Sequence, residues 1–138
     1  MTPAPLRVSL LAACVGGVVG SLARFGITDA FGVTLGFPWA VFAINVVGSA
    51  VLAGLPSLAA VRRTPWVGVF LGTGVLGGFT TMSTASAQTV VLLDHDRTGT
   101  AIAYAGGTLV TALAAVWLVS RYVDAGARVR AEHDEVDE

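Results

Sequence analysis

Residues 74–89 read GVLGGFTTMSTASAQT, two adjacent glycines followed by six hydroxyl side chains, in a run that carries no charge. Gly72, Gly74, Gly77 and Gly78 each weaken a helix by roughly 1 kcal/mol relative to alanine, so the spacing predicts a helix that breaks near residues 77–81. At membrane depth such a break is tolerated only where its backbone groups are buried in protein or bind an ion. Freed carbonyls suit a hard cation such as Na+. The N-terminus of the following half-helix, with Thr80, Thr81, Ser83, Thr84, Ser86 and Thr89 beside it, suits an anion. The alternative is that the hydroxyls bond back to their own helix and the glycines merely pack. The density of the cluster favours ion binding.

Other polar side chains interrupt apolar stretches. Asn45 stands among Ile44, Val46 and Val47. Its amide either joins two helices, a bond of roughly 0.6–2 kcal/mol, or lines a pore and solvates an anion. Arg24, between Ala23 and Phe25, either snorkels to the interface or supplies a fixed charge that draws anions. Tyr104, Thr108 and Thr111 recur at helical spacings and share a face, which makes a polar track. Gly16, Gly17 and Gly20 form a small-residue surface for a neighbouring helix. No nucleophile with a base, paired carboxylates or phosphate loop stands in the apolar stretches, so nothing argues for an enzyme. Asp94, His95 and Asp96 are consecutive and make a poor metal cage, His133 reads as a solvent histidine, and Cys14 has no partner for a disulfide.

These residues need a membrane scaffold. The chain has 138 residues, 54% hydrophobic and 12% charged, with mean hydropathy +0.77, too apolar for a soluble domain of this size. Charged residues leave gaps at 8–23, 30–61, 64–93 and 98–120. All but the first exceed the ~20 residues that cross a bilayer, and the first reaches that length by taking in Arg24. The expected fold is an all-α membrane protein: a four-helix channel domain over residues 1–122, with helices at about 6–28, 37–60, 65–92 and 99–121, then an acidic flexible tail at 123–138. Leu11, Ala12, Ala13 and Cys14 imitate a lipoprotein cleavage site, but the apolar run before Cys14, Val8 to Ala13, is shorter than the ~7–15 residues such signals use.

There is no lysine, so eight arginines set the topology. With alternating helices, Arg7, Arg62, Arg63, Arg121, Arg128 and Arg130 share one side, against Arg24 and Arg97 on the other. The positive-inside rule puts both termini in the cytoplasm of a plasma-membrane protein. Six against two is too unequal for a chain that inserts both ways round.

Four short helices, GSLARF ending the first, NVVG in the second and GGFTTMSTASAQT in the third resemble the Fluc (CrcB) fluoride channels, over nearly the whole chain to about Tyr122. The resemblance implies an antiparallel dimer with dual-topology-like architecture, two fluoride pathways at its interface and a structural Na+ held by backbone carbonyls, here those of Gly77 and Thr80. It implies an anion pathway along Asn45, Arg24, Ser83 and Thr84, with Tyr104 and Thr108 near the polar positions of the fourth helix. Two phenylalanines of the family's pore are replaced by Met82 and Ala85, and a threonine of its second helix by Val41. The positive edge of an aromatic ring can contact a desolvated anion; a thioether or methyl offers much less.

The fixed orientation and the missing phenylalanines together imply a heterodimer with an oppositely inserted homologue, favoured over a homodimer. The function implied is passive fluoride export that relieves fluoride toxicity. The alternatives are a non-conducting structural subunit of such a pair and, less favoured, a small four-helix drug or cation exporter. The last would want an intramembrane carboxylate, and every Asp and Glu is expected outside the helices.

Overall fold

The computed structural model describes residues 5–32 and 35–136, with side chains as far as residue 126. Helix α1 spans Leu6–Phe31 and α2 spans Trp39–Gly54, followed by a 3-10 turn at Leu55–Ser57 and a short α3 at Ala59–Arg63. The third span is composite. It comprises α4 (Pro65–Gly68), a π-helical segment (Val69–Leu76), α5 (Gly77–Phe79) and, after a break, α6 (Met82–Asp94). Helix α7 runs from Thr98 to Val136. Among the described residues there is no strand. Four stretches are long and apolar enough to cross a membrane: Leu6–Phe31, Trp39–Ser57, Pro65–Asp94 and Thr98–Gly126.

Local sequence accounts for the helix ends. Proline stands where its missing N–H costs nothing: Pro5 and Pro38 precede α1 and α2, and Pro65 is the first residue of α4. Gly32 closes α1 at φ 64°, and its N–H bonds the Thr28 carbonyl at 3.1 Å. Helix α1 thereby takes in Asp29, a carboxylate that charge spacing alone puts beyond the helix, in its last turn and exposed.

Residues 123–136, within the segment expected to be a flexible tail, continue α7 as helix. They contain no proline, the residue that would end a helix. Residues 137–138 and the side chain of His133 lie outside the described residues.

Helix α1 runs parallel to the third span at backbone contact. A Cβ added to Gly16 would collide with the Phe70 carbonyl, and one on Gly20 with the Val75 carbonyl. One on Gly74 would come within 2.8 Å of the Gly16 Cα. Gly17 Cα faces open space, although its carbonyl lies against Gly78. Without a hydrophobic force between helices in lipid, this close approach is how they gain dispersion contact.

The other layer is α2 packed on α7, with α6 alongside. Its core is Val41, Ala85, Leu92, Ala101 and Tyr104, against which Phe37 and Phe42 pack. The Phe37 and Tyr104 rings meet edge to face at 5.5 Å. Leu10, Val18, Leu22, Ile102 and Leu113 face outward, as apolar side chains against lipid do.

Candidate functional site

The break falls at Thr80 and Thr81, whose backbones are extended (φ −74°, ψ 152° and φ −152°, ψ 112°). The Thr80 N–H and hydroxyl both bond the Leu76 carbonyl, at 2.9 Å each, which finishes α5. Thr81 then starts α6 as its cap: its Oγ1 accepts from the Thr84 N–H at 3.1 Å, donates to Thr84 Oγ1 at 2.9 Å and lies 3.2 Å from Ser83 Oγ.

The backbone groups of Thr81, itself buried, are matched by Asn45, which is 9% exposed. Asn45 Oδ1 accepts from the Thr81 N–H at 2.8 Å and Asn45 Nδ2 donates to the Thr81 carbonyl at 3.0 Å. In an unbroken helix the Thr81 N–H would bond the Gly77 carbonyl, so this exchange releases that oxygen from its helical donor. On the α1 side of the break, Arg24 Nε donates to the Gly78 carbonyl at 3.2 Å, with Ser21 Oγ at 3.5 Å from the same oxygen.

Between α2, α6 and α7 lies a cavity of about 260 Å³, lined on its polar side by Asn45, Ser49, Thr80, Thr81, Ser86 and Thr108 and on its apolar side by Met82, Ala85 and Leu109. Beside it, Tyr104 Oη donates to Gln88 Oε1 at 2.7 Å, and Thr108 Oγ1 bonds back to the Tyr104 carbonyl at 2.6 Å. A second cavity, of about 230 Å³, lies nearer the α1–α2 connection and includes Gln88, Thr28 and Trp39.

The structure thus gathers Asn45, Thr80, Met82, Ala85 and Thr108 around one cavity. Tyr104 is buried next to it, Ser83 is exposed away from it, and Arg24 lies across the break on Gly78. Met82 and Ala85 differ sharply, at 74% and 8% exposed, the second lying in the core beside Val41 and Tyr104. Besides Thr80 and Thr108, the hydroxyls of Ser86, Thr89 and Thr111 bond back to their own helix, to the carbonyls of Met82, Ala85 and Gly107. Sequence reasoning passed over Gln88 as the partner of Tyr104. An amide inside an apolar span is the same signal that marks Asn45.

No three His, Cys, Asp or Glu side chains gather to hold a metal among the described residues. His95 is exposed, its Nδ1 2.8 Å from the Val91 carbonyl.

The profile of the CrcB-like proteins, described as camphor resistance (CrcB), matches residues 11–120. The chain belongs to the CrcB-like family. Among curated CrcB-like relatives, one from Paracoccus denitrificans is 37% identical over 112 residues, covering 80% of this chain and 90% of the relative. One from Opitutus terrae is 41% identical over 110 residues, covering 75% and 83%, and one from Ruegeria is 36% identical over 125 residues, covering 86% and 98%. Each of the three is named a fluoride-specific ion channel FluC, so the family is one of ion channels rather than enzymes.

Proposed function

We propose that the chain is a subunit of a fluoride channel that lets fluoride leave the cytoplasm passively. The observation that carries this reading is the broken third span, with Thr80 and Thr81 on a cavity shared with Asn45 and Thr108, in a chain of the CrcB-like family. The broken span supplies polar groups at membrane depth without a buried carboxylate, which would repel an anion.

A structural Na+ fits the same break. Backbone carbonyls are hard donors suited to such a cation, and the Asn45–Thr81 exchange supports a role for Gly77, since its carbonyl has lost the donor a continuous helix would give it. Gly77 and Thr80 are the residues assigned to hold the ion. It would neutralise carbonyl dipoles where two broken spans meet.

The assembly is read as a heterodimer, both termini of this chain being cytoplasmic. The arginine imbalance supports one orientation, and Met82 and Ala85 leave the cavity without the aromatic edges that a partner would supply. A non-conducting structural subunit is the second reading, favoured by the burial of Ala85 in the core. Fluoride efflux from liposomes, read with a fluoride electrode, separates the readings. Efflux only with a homologue from the same genome supports the half-channel; efflux from the chain alone overturns the heterodimer; no efflux from either leaves the structural role.

A further inference from the structure

One end of the molecule concentrates arginine. Helix α1 and the third span run parallel, with Gly16 beside Gly74. Arg7 and Pro65 each stand nine residues before that contact and so lie at the same level. Arg62 and Arg63 end α3, with only Thr64 between them and Pro65, and Val61 packs towards Gly68. The end of α2 comes to the same level on α7, since Gly54 faces Val119, two residues before Arg121. Arg7, Arg62, Arg63 and Arg121 are all exposed, and none makes an ion pair with a described carboxylate.

The same end carries aromatic side chains. Trp66, Trp117 and Tyr122 are exposed there, with the Arg121 guanidinium 4.8 Å from the centre of the Trp117 ring. Exposed tryptophan and tyrosine at a span's end sit at the headgroup level of a bilayer. Could the acidic C-terminal residues neutralise these arginines instead? Asp124 stands one turn from Arg121 and makes no ion pair with it, and the later carboxylates lie farther along the unbroken α7. Glu132 lies eleven residues beyond Arg121, about 16 Å along a helix, and charges at that distance are largely screened at physiological salt, where the Debye length is about 8 Å.

The opposite end is different in kind. It presents Asp29, Asp94 and Asp96 with Arg97, while Arg24 is already committed to the Gly78 carbonyl.

We infer that the Arg7, Arg62, Arg63 and Arg121 end binds the phosphate groups of anionic phospholipids, and that the opposite end does not. Four positive charges without a carboxylate partner favour a headgroup whose phosphate charge is not offset by choline, and the exposed Trp66, Trp117 and Tyr122 hold them at headgroup depth. This inference is independent of what the channel conducts.

Purified full-length chain in detergent, titrated with dioctanoyl phosphatidylglycerol and followed by thermal unfolding, tests it. The melting temperature should rise with phosphatidylglycerol and not with phosphatidylcholine or inorganic phosphate. The triple variant R62Q/R63Q/R121Q should bind the anionic lipid on the order of 100-fold more weakly, at about fivefold per arginine. R62K/R63K/R121K should retain most of the effect, and R97Q all of it. An equal rise with phosphatidylcholine or with inorganic phosphate, or an unchanged affinity in the triple glutamine variant, overturns the proposal. If the triple glutamine variant is too unstable to assay, the single variants decide: R62Q should bind the anionic lipid about fivefold more weakly and R97Q as the wild type does, and equal affinities of the two would overturn the proposal.

Discussion

Asn45 and Thr81 exchange two hydrogen bonds, side-chain amide to backbone peptide, at 2.8 and 3.0 Å. The pairing replaces what the third span forgoes by breaking: one residue of α2 satisfies both the N–H and the carbonyl of Thr81. A buried peptide left without partners costs about 1–3 kcal/mol, so the amide underwrites the break energetically.

Asn45→Leu should therefore lower unfolding stability by about 2–4 kcal/mol, since it strands both groups of Thr81. Asn45→Asp keeps the acceptor, loses the donor and buries a charge, and should be at least as damaging. Thermal unfolding in detergent reads both, and an unchanged melting temperature in Asn45→Leu would show that the clamp is dispensable.

The glycine contacts make an internally controlled pair. Gly20→Ala should destabilise by about 1–3 kcal/mol because its Cβ would meet the Val75 carbonyl, a backbone atom that cannot swing aside. Gly106→Ala meets nothing and should be neutral or slightly stabilising through helix propensity. The difference in melting temperature between the two variants is the measurement.

Tyr104 and Gln88 should be coupled. Tyr104→Phe removes a hydroxyl that donates at 2.7 Å and should cost about 0.5–1.5 kcal/mol. In a double-mutant cycle with Gln88→Leu the two losses should fall short of additive by a similar amount, whereas strict additivity would mean that the bond contributes nothing.

Met82→Phe and Ala85→Phe should part company. Met82 is exposed and its variant should keep wild-type stability, while a phenylalanine at Ala85 must fit against Val41 and Tyr104 and should cost about 1–3 kcal/mol unless it turns into the adjoining cavity. Fluoride efflux measured on both variants, together with the partner, reports whether aromatic edges at these sites add to flux.

Replacing Na+ by N-methylglucamine during purification should lower the melting temperature by several degrees if Gly77 and Thr80 hold the cation, and restoring Na+ should reverse it. Identical unfolding in the two salts would remove the cation from the account.

Much of this architecture is legible in the residues. Charge-free stretches give the four spans because hydrocarbon tolerates few charges, and the doublet of Gly77 and Gly78 ahead of Thr80 and Thr81 locates the break because glycine and a hydroxyl cap both weaken the helix there. The partners of the polar groups are not legible. Asn45 is 36 positions from Thr81 and Arg24 54 from Gly78, and only the way the layers pack decides which carbonyl each reaches. The π-helical segment at Val69–Leu76, in which Gly74 meets the α1 backbone, is likewise invisible in the residue types.

The two halves of the third span belong to different parts of the molecule. Its first half lies against α1 and ends tethered to Arg24 through Gly78; its second lies against α7 and begins tethered to Asn45 through Thr81. The two residues between, Phe79 and Thr80, are the seam along which the subunit is joined. The chain also crosses between the two slabs in the α1–α2 and α2–α3 connections, so a sliding of one slab against the other would be felt at Phe79 and Thr80 together with those two links, beside the residues proposed to hold the ion.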